Sequence, residues 1–340
     1  MEREYQYDNM KFILILLVVF GHLLEYIRGD ISENIYRIIY TFHMPIFVFI
    51  SGYFAKFKKK KIIFQLLIPY FILQTIYIIF DCKIISSSNI VIQYVTPYWL
   101  LWFILTLLFY YLLIPLIDTR NNFNKLFFIF SSIFLSLFIS FTKNVGYYAS
   151  LHRFFTFLPY FIMGYYFKTS KLKEIIDKKN IRIIICILAS IIIIVSSSYV
   201  IFTKEYTKWV LYGSYNYESA YYNFGMKSFL IFLGLAWIVF FIAFFPRKKI
   251  PIVSYLGSNT FYIFILHGFF VKYLGKLNVF TYNEGLNIVC ALGISILLII
   301  LLGNYLIKLM CNYILNYQWI YDLSINFKYH IVNKYIKKRN

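Results

Sequence analysis

Long apolar runs repeat along this chain, each ended by a short basic or polar break. Residues 183–194, for example, hold no charge and show no alternation of polarity. A segment in lipid must pair all its backbone polar groups within the protein, so it is either helical or part of a closed barrel. Barrel strands read as about ten residues of alternating polarity, and these runs do not alternate. The pattern predicts an all-α, polytopic transmembrane helical bundle of about ten helices. The spans fall near 10–28, 35–54, 62–80, 98–117, 125–142, 153–167, 181–202, 226–245, 255–274 and 285–308. The ninth is interrupted by polar residues. Composition agrees: 14% of residues are charged, against about a quarter in a soluble domain.

Charge sets the expected orientation. With the N-terminus inside, 24 of the 34 lysines and arginines fall in inside segments, including the lysine run at 56–61. Positive loops stay inside, so N- and C-termini are both expected to be cytoplasmic and the chain to be multi-pass in the plasma membrane. The net charge of +20 is then explained by loops facing anionic lipid, and nucleic acid is not expected as a partner. Residues 1–310 are expected to form the transmembrane domain and 311–340 a basic cytoplasmic tail lying on the inner leaflet. The first apolar run has no small-residue cleavage site and reads as a retained helix. Cys82, Cys186, Cys290 and Cys311 are scattered, which indicates neither a disulfide framework nor a metal site.

Ionisable residues within spans are costly and usually face a cavity or a partner. Asp8, Lys11, His22 and Glu25 fall within an arc of about 100°, forming one polar stripe on the first helix. Lys11 and His22 are separated by roughly 16 Å along the axis, which sets the lysine at the membrane edge and the histidine near mid-membrane. His43 enters from the opposite side to a similar depth, so the two histidines can share a cavity. Pro45 removes a backbone donor and is expected to bend that helix near Thr41.

Each position also has a plainer reading. An intramembrane histidine can simply hydrogen-bond a neighbouring helix. Lys11 can snorkel to the interface, and the lysines at 56–61 serve first as a topology signal. Arg153 either anchors to headgroups or faces an anionic or hydroxyl-rich ligand. Trp99 and Trp102 are either belt residues or stacking surfaces for a sugar.

In combination these residues resemble the acyltransferase-3 family of membrane-bound glycan O-acyltransferases. Asp8-Asn9-Met10-Lys11 followed after ten residues by His22, itself preceded by Gly21, resembles its first-helix motif. Phe42-His43-Met44-Pro45 with Ser51-Gly52-Tyr53 looks like its second-helix signature. Pro69-Tyr70, Trp99 with Trp102, Arg153 with Pro159 and Gly164, and Leu256-Gly257-Ser258-Asn259-Thr260 with His267 follow in the family's order. The resemblance covers about residues 3–310, and the branch resembled is that of the fucose 4-O-acetylases. Two departures stand out. Many relatives carry arginine where this chain has Lys11, a point charge without the bidentate fork. The esterase-like domain of some relatives is absent, so this chain is expected to complete transfer alone or hand on to a separate protein.

The resemblance implies acetyl-CoA, or another acyl-CoA, as donor substrate and a saccharide hydroxyl as acceptor, alongside polysaccharide synthesis or export machinery of the cell envelope. On that basis Lys11 and Asp8 are assigned to donor binding and His22 to general-base catalysis, with Glu25 fixing its tautomer. An acyl-histidine route is the less favoured alternative. His43, Arg153, Trp102 and Ser51 are assigned to substrate binding. No metal is expected. The competing class is a polysaccharide or lipid-linked sugar transporter or flippase, which also needs polar groups within the membrane.

Overall fold

The structure, a computed structural model, describes residues 3–143, 145–218 and 222–315. The described chain is helical, with no strand among these residues. In chain order its helices begin with α1 (Tyr5–Leu24), α2 (Asp30–Tyr53), α3 (Lys59–Ile62) and α4 (Ile68–Phe80). They continue with α5 (Trp102–Ile117), α6 (Asn122–Phe138), α7 (Leu151–Phe167), α8 (Lys171–Asp177), α9 (Lys179–Thr203) and α10 (Lys208–Leu211). The last five are α11 (Phe224–Phe244), α12 (Pro251–Ser258), α13 (Thr260–Lys276), α14 (Glu284–Leu302) and α15 (Tyr305–Leu315). One-turn π segments at Ile63–Leu67 and Asp81–Ile85 extend α4 at both ends.

Among the described residues, eight helical stretches are long and apolar enough to cross a membrane. The other two expected spans correspond to α7 and α13, each of 17 residues, which sits at the lower limit for a bilayer crossing. The expected polar interruption of the ninth span is a real break. α12 ends at Ser258, and Asn259, outside helical geometry, starts α13 while its side-chain amide donates to the Gly303 carbonyl at 2.9 Å. The first span is displaced from its expected position. α1 stops at Leu24, four residues before the expected end at 28, because the chain turns through Glu25 to Gly29, where Gly29 takes φ 149°. His22 therefore lies in the last turn of α1 and not near its middle. α2 runs unbroken through Pro45. Apart from the end of α15, the expected tail at 311–340 lies outside the described residues.

Burial separates an inner layer from an outer one. α1 packs against α2, α12, α13 and α14, while α2 packs against α7 and α11. About 70% of the α1 and α2 spans is buried inside the protein, against 22% for α6 and α9. The exposed face of α9 carries Ile183, Ile184, Ile187, Ile191 and Ile194, an apolar surface that lipid covers at no cost. Several helices start on asparagine caps: Asn121 accepts from the Phe123 amide, Asn223 from Met226 and Asn283 from Leu286, each satisfying a donor that the first turn leaves open.

Glycines set the closest approaches in the inner layer. A methyl group at Gly52 would stand 2.1 Å from the Phe161 carbonyl oxygen, and one at Gly164 would stand 2.1 Å from that of Phe49. The backbones of α2 and α7 thus touch at two points one turn apart, as in other membrane helix pairs built on small residues. Gly257 does the same for α12 against the Asp8 carbonyl of α1.

Candidate active site

The last turn of α1 presents His22 beside Gly21, and a methyl group at Gly21 would sit 3.1 Å from the Tyr40 ring. The missing side chain lets Tyr40 of α2 lie over this turn. Glu25 keeps right-handed helical geometry as the C-cap (φ −60°, ψ −22°), so it still meets His22 across one turn. His22 Nδ1 is 3.2 Å from Glu25 Oε1 and 3.0 Å from the Tyr40 hydroxyl, which in turn donates to Glu25 Oε1 at 2.9 Å. Tyr212, from the loop after α10, reaches the same carboxylate oxygen at 3.4 Å. Tyr212 lies outside the spans, and burial, reinforced by Glu25, raises its pKa well above the ordinary phenol value, so it remains a donor. An ionised carboxylate only accepts. Facing a carboxylate that only accepts, Nδ1 is the nitrogen that holds the proton in the neutral imidazole, which leaves the lone pair on Nε2.

Aromatic groups fix the imidazole. His22 lies 4.6 Å from the Trp99 ring and 5.6 Å from His267, against which it stacks at 18°. Trp99 has φ 29°, a conformation rare for a bulky residue and typical of functional sites. Its strain sets the indole between the start of α5 and the end of α1. His43 and His267 each donate Nδ1–H to the carbonyl one turn back, at Ile39 (2.8 Å) and Ile263 (3.0 Å). His267 Nε2 is buried with no hydrogen-bond partner.

His22, Glu25, Tyr40, His43, Trp99 and Tyr212 line a cavity of about 420 Å³ that also receives Trp102, Arg153 and Lys272, with His267 behind the His22 ring. Arg153 donates Nε–H to the Tyr212 carbonyl at 3.0 Å, and its guanidinium carbon stands 4.8 Å from the Trp102 ring centre. One wall is the loop before α5. Gln74 holds that loop by donating to the Gln93 and Thr96 carbonyls and accepting from the Tyr98 amide. Thr96 and Pro97 thereby reach the cavity.

A second chamber of about 170 Å³ lies on the Lys11 side. Its walls are mostly apolar, including Ile15, Phe47, Leu107 and Phe261, with Lys11, Ser51 and Thr260 as polar groups. Val18, Met44 and Phe264 line both chambers, forming a collar between them. Lys11 pairs with Asp8 at 2.8 Å, and Asp8 also accepts from Arg3 at 2.7 Å.

The structure brings His22, Glu25, His43, Trp102 and Arg153 to one cavity. It places Ser51 elsewhere: Ser51 lines the Lys11 chamber and donates its hydroxyl to the Phe47 carbonyl at 2.8 Å. Asp8 lines neither chamber and instead balances Lys11 and Arg3. The sequence assigns no role to Tyr40, Tyr212 or Lys272, and His267 enters it as the end of a family motif without an assigned function. An intramembrane lysine one turn beyond His267 was the available signal for Lys272. The tyrosines carried none in a chain with 34 of them.

A nodulation protein, NolL, of Sinorhizobium fredii (strain NBRC 101917 / NGR234) is 32% identical over 142 residues, covering 32% of this chain and 37% of that protein. NolL of Mesorhizobium japonicum (strain LMG 29417 / CECT 9101 / MAFF 303099) is 30% identical over 122 residues, 29% of this chain and 33% of the relative. The chain thus spans about a third of the length of the curated relatives it matches. No solved structure matches it. The acyltransferase-3 profile, described as an acyltransferase domain, matches residues 4–304, almost the entire apolar helical bundle, and on that match the chain belongs to the acyltransferase-3 family.

Proposed function

We propose that this protein is a membrane O-acyltransferase that moves an acyl group, acetyl in the simplest case, from acyl-CoA to a hydroxyl of a cell-surface or lipid-linked saccharide at the plasma membrane. The observation that carries this reading is the His22–Glu25–Tyr40 cluster, set in a polar cavity that shares a collar with an apolar chamber reaching Lys11. A base oriented by a hydrogen-bonded carboxylate is the arrangement acyl transfer to a hydroxyl requires. The narrow apolar chamber suits a pantetheine arm, and Lys11 on its wall suits an anionic phosphate. Asp8 offsets part of that charge.

In this reading His22 Nε2 removes the proton of the acceptor hydroxyl as that oxygen adds to the thioester carbonyl. Glu25 holds the Nδ1 proton in place and stabilises the resulting imidazolium, while Tyr40 holds Glu25. His22 then returns the proton to the departing thiolate, so the site ends in its starting state. Trp102, Arg153 and His43 hold the acceptor.

The test compares purified wild-type protein with His22→Ala, folding verified, for transfer from labelled acetyl-CoA to envelope glycans. Loss of about two to four orders of magnitude in rate is expected, the usual contribution of a general base. Equal transfer by the variant would remove His22 from the mechanism. Absence of transfer by the wild type, together with no thermal stabilisation by CoA, would favour a saccharide transporter.

A further inference from the structure

Two cations line the His22 cavity, Arg153 from α7 and Lys272 from α13. Neither enters an ion pair among the described residues. Aromatic faces hold them instead. The Arg153 guanidinium lies 4.8 Å from the Trp102 ring centre and 5.0 Å from that of Tyr147. Lys272 Nζ lies 5.2 Å from the Trp99 ring centre and 5.6 Å from that of Tyr98. An aromatic face attracts a cation through its quadrupole but does not neutralise it, so the positive field of both groups remains in the cavity.

Hydrogen bonding leaves the same opening. Arg153 commits Nε–H to the Tyr212 carbonyl, which fixes the plane of the guanidinium while its two terminal nitrogens have no protein acceptor among the described residues. Lys272 Nζ has none either. The one carboxylate on the cavity, Glu25, is held by His22, Tyr40 and Tyr212. Charges left unpaired in a partly desolvated site are costly. A site that keeps two of them in the cavity that holds His22 is suited to an anion that arrives with the substrate. Arginine's fork matches phosphate and carboxylate geometry, and lysine adds a mobile point charge.

We propose that the acceptor is an anionic saccharide, whose phosphate or carboxylate binds between Arg153 and Lys272 while a hydroxyl of the same molecule meets His22. This inference rests on the acyl-transfer reading. Trp99 links the two functions, since its ring lies against both His22 and Lys272. Lys272 is in this account a specificity-determining residue, not a catalytic one.

The experiment uses the full-length protein in nanodiscs with labelled acetyl-CoA and three acceptors built on one oligosaccharide: neutral, ending in a uronic acid, and carried on a polyprenyl diphosphate. At least one charged acceptor is expected to show a kcat/KM more than tenfold above the neutral one. Lys272→Gln is expected to cut that preference tenfold or more, mainly through KM, and Lys272→Arg to retain it. The two charged arms separate a carboxylate from a phosphate source. A second readout does not need turnover: millimolar pyrophosphate or glucuronate raises the Tm of the wild type and not of Lys272→Gln. Equal use of all acceptors, or a preference unchanged in Lys272→Gln, overturns the proposal while leaving acyl transfer standing. Anion stabilisation that depends on Lys272 without transfer to any acceptor upholds the anion site and overturns the acyltransferase reading. Neither transfer nor anion stabilisation overturns both.

Discussion

Tyr40 Oη lies 3.0 Å from His22 Nδ1 and 2.9 Å from Glu25 Oε1, so one hydroxyl from α2 braces both members of a pair that α1 supplies. The brace has a measurable consequence. Tyr40→Phe keeps the ring against Gly21 and removes only the hydroxyl. Its kcat is expected to fall about tenfold, the effect of one lost hydrogen bond near a reacting group. Glu25→Gln keeps the size and removes the charge that fixes the tautomer, so a loss of a hundredfold or more is expected. Steady-state rates over a pH series check both. A Glu25→Gln rate equal to wild type would dismiss the carboxylate's role.

The touching backbones of α2 and α7 give a stability prediction. Gly52→Ala and Gly164→Ala each drive a methyl group into an opposing carbonyl oxygen, so the helices must separate. Overpacking of this kind costs about 1–3 kcal/mol, read as a lower unfolding temperature in detergent. The two contacts belong to one helix pair, so a separation forced at one relieves the other, and the double variant is expected to cost less than the sum of the singles. Strict additivity would show that the helices do not meet as one unit.

The Lys11 chamber predicts a split between substrates. Leu107→Trp fills part of its volume of about 170 Å³ without touching the His22 cavity. The KM for acyl-CoA is expected to rise tenfold or more, with the acceptor KM unchanged. An unaltered donor KM in a folded variant would exclude this chamber as the donor's route.

The sequence made the all-helical bundle legible because an apolar run in lipid has few structural options. It also exposed His22 and Glu25, since charge is conspicuous in an apolar helix. Two things stayed hidden. The end of α1 was misplaced because apolar character continues through Ile27 while the chain turns at Gly29, and hydropathy does not register backbone conformation. Tyr40 and Tyr212 reach Glu25 from another helix and from a loop, a convergence that depends on packing. Ser51 looked polar and available, but a serine in a helix can satisfy itself on the carbonyl one turn back, as it does on Phe47.

The paired contacts at Gly52 and Gly164 also divide the catalytic chamber into a stationary and a yielding half. Two helices in backbone contact at successive turns cannot slide without a clash, so the wall bearing Tyr40, His43 and Arg153 acts as an anvil. The opposite wall, the loop before α5, is held by the Gln74 side chain, by the Ala149 amide donating to the Val95 carbonyl and by the indole of Trp99. Opening of the cavity is therefore expected at that loop, with His22 keeping its alignment while the doorway moves.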